Sequence, residues 1–159
     1  MASTVRPKVL VVLICLIALS VPNASAQDPT LRLAAIQRTF QDLTKDLVDF
    51  AQAATRTGQD RDYQAAYELF GIAQRSMDRA TLAYRLVGIH GFVCEVDRAK
   101  LRPIVVFELD MMNKEIDIDL EATNFYVSTT QNQAIVQRGG DLRAELRALQ
   151  GLVRKFPAQ

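Results

Sequence analysis

The chain has 159 residues, 49% hydrophobic and 23% charged, with 19 basic and 18 acidic side chains, two cysteines and no tryptophan. So balanced a charge gives no electrostatic pull towards nucleic acid or anionic lipid, and two cysteines cannot build a disulfide scaffold. Stability has to come from a packed core.

Residues 1–26 follow the three-part plan of a secretory signal peptide. Arg6 and Lys8 precede an uninterrupted apolar run from Val9 to Leu19, and Pro22 and Ala24-Ser25-Ala26 follow it. The run falls short of the roughly 20 residues that span a bilayer, so cleavage after Ala26 is expected rather than a retained anchor. Cys15 follows Leu13-Ile14, not a small residue, and leaves with the signal. The expectation is an exported protein, periplasmic if the source is a Gram-negative bacterium and otherwise secreted. Residues 27–159 form one domain's worth of chain, with 17 basic against 18 acidic residues and Cys94 as their one cysteine. No later stretch reaches spanning length, so stable membrane insertion after cleavage is not expected.

Asp28-Pro29-Thr30 has the chemistry of a helix start, a carboxylate to accept from free N–H groups and a proline whose missing N–H costs nothing there. Leu33, Ile36, Phe40, Leu43, Leu47, Phe50 and Ala54 then alternate in steps of three and four, which predicts a helix to about Thr57, stopped by Gly58. With Asp60 as the expected cap, a second helix carries Tyr63, Ala66, Phe70, Ala73, Met77, Ala80, Tyr84 and Val87 at the same spacing. Ala66, Ala73 and Ala80 fall seven apart and allow close approach of the first helix, with Ala65 further from the seam.

From Gly88 to Pro103 the pattern breaks. Gly88-Ile89-His90-Gly91-Phe92-Val93-Cys94 reads as a glycine-punctuated connection, with one or two helical turns over Glu95 to Leu101. After Pro103, a third segment to about Arg138 carries Val106, Leu109, Asn113, Ile116, Leu120, Thr123, Val127, Thr130 and Ala134. Gly139-Gly140 is its expected end, and Asp141 the cap of a last helix with Leu142, Leu146, Leu149, Val153 and Phe156 on one face. Phe156-Pro157 closes the chain. Strict alternation over Ile116-Asp117-Ile118-Asp119-Leu120 also fits a strand, so an α+β fold with residues 104–130 as a β-hairpin is the alternative. Length favours helix, and the fold class expected is all-α, a four-helix up-down-up-down bundle. Charge agrees, since residues 104–137 hold six acids and one base while 138–159 hold five bases and two acids.

Candidate chemistry is sparse. His90 and Cys94, four apart, would share a helix face as a thiol or ligand site, but no other histidine or later cysteine completes a zinc set. A buried, inert Cys94 is expected, with His90 satisfying a local backbone group. Asp117, Asp119 and Glu121 resemble the start of a calcium loop, yet Ala122 stands where the sharp turn needs glycine and Ser128 where the bidentate acid belongs. On a helix, Glu108, Glu115 and Asp119 line one flank and Asp110, Asp117 and Glu121 another, a solvated charged border. Haem has no Cys-x-x-Cys-His run, and a b-type site would have to join His90 to Met77, Met111 or Met112. No metal or cofactor is therefore expected, and no enzymatic activity.

Phe107, Met111, Ile118 and Phe125 fall together on the third helix, opposite the Leu109, Ile116, Leu120 and Val127 stripe. A helix with two opposed apolar stripes needs two things to pack against. A central position in the bundle, or cover by the Ile89 to Val96 connection, would supply the second; otherwise these four are the expected binding surface for a protein partner or a homo-oligomer, and the expected role is non-catalytic. The alternative is a bundle that binds a small ligand or haem.

Overall fold

The computed structural model describes Asp28–Phe156, so the expected signal segment at residues 1–26 and Pro157 lie outside the described residues. Four helices account for nearly all of that span: α1 Pro29–Thr57, α2 Asp60–Phe92, α3 Glu95–Thr129 and α4 Gln133–Lys155. No strand occurs among the described residues, and the β-hairpin alternative for 104–130 is overturned by one continuous helix through that region. Its alternation gives way to the helical period because Leu109, Met112, Ile116, Asp119 and Thr123 all turn inward, at steps of three and four.

The start of α1 follows from its sequence. Asp28 accepts from the Thr30 N–H at 2.8 Å, and Pro29 opens the first turn. Gly58 ends the helix with φ 68°, and the Gln59 N–H reaches the Ala54 carbonyl at 3.0 Å. This is the left-handed stop that a side chain would strain. Asp60 is the first helical residue of α2 rather than its cap. Gln59 holds the flanking position, without a side-chain bond to the helix.

Between α2 and α3 the expected long connection shrinks to Val93 and Cys94. Gly88 and Gly91 have ordinary negative φ and continue the helix, and Arg98 explains how so short a turn closes. Its guanidinium donates to the carbonyls of His90 at 3.1 Å, Gly91 at 3.5 Å and Val93 at 3.2 Å, satisfying acceptors that the end of α2 leaves open. Pro103 lies inside α3 instead of before it. Having no N–H, it cannot bond the carbonyl one turn back, and both Pro103 and Ala99 are exposed, where water can reach that oxygen.

The third connection also moves. α3 ends at Thr129, where Ser128 and Thr129 hydroxyls donate to the carbonyls of Phe125 and Tyr126. Asn132 caps α4 by accepting from the Ala134 N–H at 3.1 Å. Gly139 and Gly140 are interior residues of α4, and Asp141 pairs with Arg138 instead of capping. Gly139 is buried against α3, where a Cβ would overlap the Val127 side chain.

One core joins all four helices. Leu33, Phe40, Leu47, Leu69, Ile72, Leu109, Ile116, Leu142, Leu146 and Leu149 are almost wholly buried in it. α1 and α2 share the broadest interface, with Ala66, Ala73 and Ala80 fully buried as expected. The α2 seam is rotated from the expected one. Ala65, Leu69, Ile72, Ser76 and Ala83 are buried, while Tyr63 and Tyr84 are exposed. Ala65 thus lies in the core rather than beside it, because α2 packs on α1, α3 and α4 together. In α1 the same small rotation buries Ala51 and leaves Phe50 half-buried.

Cross-helix contacts run in reverse order along neighbouring helices. Arg143, Gln150 and Arg154 of α4 bond Asn124, Asp117 and Asn113 of α3. Asp62, Arg75 and Arg79 of α2 meet Thr130, Asp119 and Glu115. No helix of the described residues is long and apolar enough to cross a membrane.

Candidate functional site

On α3, Phe107, Met111, Ile118 and Phe125 stand outside the core, at 62%, 41%, 66% and 61% exposure. Ile104, at 57%, belongs with them and was not singled out in the sequence. Ile104, Met111, Ile118 and Phe125 are spaced by sevens, and Phe107 flanks the first pair. Seven residues make two turns of a helix wound slightly tighter than an isolated one, so this is the seam that a second helix can follow. The signal for Ile104 was that heptad, masked by its position one residue after Pro103. Phe125 packs its ring edge-on against Tyr126, with centroids 5.2 Å apart.

The Arg79–Glu115 pair, at 2.8 Å, sets the level of α2 against α3. It brings the exposed Leu82 of α2 level with Met111 and Met112, and the exposed Ile89 level with Ile104.

The flanks are not the uniform solvated border expected. Asp119 is 3% exposed and accepts from Arg75 at 3.2 Å and from Arg79 at very close range. The spacing carried a signal: Arg75 and Arg79 stand one turn apart on α2, as Glu115 and Asp119 do on α3, so complementary pairs can meet across antiparallel helices. Lys114 bonds Asp110 at 2.8 Å on the exposed side. Asp117 accepts from Gln150 at 2.6 Å and faces Arg154 at 3.6 Å.

His90 and Cys94 do not share a helix face. α2 ends at Phe92, and Cys94 occupies the flanking position before α3, with extended backbone. His90 lies in the last turn of α2 instead of a linker. Its ring meets the Phe156 ring at 5.2 Å, nearly edge-on, and desolvation, then the positive charges of Arg98 and Arg102, push its pKa below the ordinary histidine value. That favours the neutral ring. Cys94 is exposed rather than buried, and its thiol donates to an Asp97 carboxylate oxygen at 3.2 Å. Among the described residues no three histidine, cysteine, aspartate or glutamate side chains are grouped so as to hold a metal ion.

A concavity lies between α1 and α4, where Asp42, Asp46, Asp141 and Glu145 line it together with Arg138. Arg138 bonds Asp46 at 2.8 Å and Asp141 at 3.0 Å. Burial, then the Asp141 charge, raises the pKa of Glu145. Compared with protein-family models, with curated proteins and with solved structures, the chain matches none.

Proposed function

We propose that the chain is an exported, non-catalytic protein of up-down-up-down bundle topology that acts by protein–protein contact, and that the contact is self-association through α3. The topology rests on the reverse order of the α2–α3 and α3–α4 bonds and on connections two or three residues long. Export rests on the signal-peptide pattern of residues 1–26.

The observation that carries the interaction reading is the exposed heptad Ile104, Met111, Ile118 and Phe125. The heptad is also self-complementary. Run antiparallel about a two-fold axis between Lys114 and Glu115, it sets Ile104 against the second copy's Phe125, Met111 against its Ile118 and Lys114 against its Glu115. Five such side chains offer on the order of 500 Å² of apolar surface. Leu82 and Ile89 of α2 bring this closer to the roughly 800 Å² per partner of a stable interface. A near-zero net charge leaves little long-range repulsion between copies.

Sedimentation equilibrium over a wide concentration range tests the reading. A monomer–dimer equilibrium is expected, and a monomer at every concentration would remove it.

A further inference from the structure

The end of the bundle where α1 begins and α4 finishes contains a cavity of about 320 Å³, to which all four helices contribute. That is near the lower end of the roughly 300–1,000 Å³ usual for small-molecule sites. Its apolar wall includes Leu33, Val87, Leu109 and Val153, all buried, one from each helix. Arg32 and Lys155 also line it, and both are exposed, so two cations stand where the cavity opens to solvent.

Neither cation forms an ion pair among the described residues. Of the carboxylates next in sequence to the lining, Asp28 is held by the hydroxyl and the N–H of Thr30, which lower its pKa, and Asp110 is paired with Lys114. Arg154 turns to Asn113 and Asp117. Arg32 and Lys155 are left to face whatever enters.

We propose that this cavity binds a single-chain aliphatic carboxylate of medium length, with the alkyl chain among the four buried walls and the carboxylate between Arg32 and Lys155. An apolar wall takes the chain out of water, while a charged head is costly to bury and stays where it can be paired. Two cationic donors at the rim make the carboxylate preferable to a hydroxyl or an ammonium on the same chain. No residue of the α3 stripe lines this cavity, so the inference stands apart from self-association.

The test is titration of the purified protein with decanoate, decanol and decyltrimethylammonium, each below its micelle concentration, by calorimetry. Decanoate is expected to bind about tenfold tighter than decyltrimethylammonium, and Arg32→Glu with Lys155→Glu to remove that preference. Val87→Phe, which adds a ring to the wall, is expected to block the chain; circular dichroism checks that each variant is folded. Three results would overturn the proposal: no decanoate binding, equal binding of all three probes, or loss of binding on Phe107→Ser with Phe125→Ser but not with the cavity variants. Retained decanoate preference in the folded charge-reversal variant would overturn the roles of Arg32 and Lys155.

Discussion

Gly139 of α4 lies so close to the Val127 side chain of α3 that a single methyl at position 139 would overlap it. Gly140, next in the chain, has nothing near the place where its Cβ would be. Both are helical, so neither is there to turn the chain.

The two glycines should therefore respond in opposite directions to the same change. Gly139→Ala forces α3 and α4 apart and is expected to cost about 1–3 kcal/mol, the usual range for overpacking. Gly140→Ala should stabilise by up to about 1 kcal/mol, because alanine is the better helix former and meets open space. Thermal unfolding of the two variants reads the difference. Equal effects would mean that Gly139 is not at a close approach.

Asp119 and Arg79 make the second prediction. With the carboxylate buried and the guanidinium mostly covered, Asp119→Ala leaves Arg79 with Glu115 alone and should cost about 1.5–3 kcal/mol. Replacing both, as Asp119→Leu with Arg79→Met, should cost much less, because a buried pair returns little beyond its desolvation. Denaturant unfolding of the single and double variants gives the coupling. Equal losses would show that the pair is not coupled in the interior.

Glu145 and His90 set opposite pH dependences. A raised glutamate pKa means stability that is complete below the ordinary value of 4.5 and lost as pH rises through the folded-state value. Glu145→Gln should thus raise the thermal midpoint at neutral pH, and the gain should vanish in acid. A lowered histidine pKa means stability complete above 6.5 and lost as pH falls through the folded-state value. His90→Gln should remove that acid-side loss. Midpoints measured from pH 4 to 8 would contradict the assignments if either variant tracked the parent throughout.

Much of the architecture is legible in the amino-acid sequence, because the core of each helix repeats at three and four residues and Asp28, Pro29 and Gly58 mark the bounds of α1 by local chemistry. The other boundaries depend on partners distant in sequence. Arg98 lets α2 run to Phe92 by taking carbonyls that a glycine turn would otherwise serve, and Asn132, in a stretch with no glycine, starts α4. Gly139-Gly140 resembles a turn because sequence alone does not separate a glycine that bends the chain from one that admits a neighbour. Ala65 joins Ala73 in the core for a related reason: one seam is visible in the periodicity, but a helix with three neighbours buries a wider arc. Ala65→Leu and Ala73→Leu are accordingly expected to cost similar amounts, about 1–3 kcal/mol each. The α3 stripe is visible as an angular coincidence; the Arg79–Asp119 pair and the cavity at Arg32 and Lys155 require the helices to be assembled.

Sedimentation velocity and thermal unfolding of Phe107→Ser with Phe125→Ser, beside the parent protein, test the α3 surface most directly. Both rings are largely exposed in the single chain, so the account predicts that the parent associates reversibly, and that the double variant stays monomeric with the midpoint the parent shows when diluted to monomer. An unchanged association, or a loss of monomer stability near the roughly 3–5 kcal/mol of a truncated buried aromatic, would contradict it.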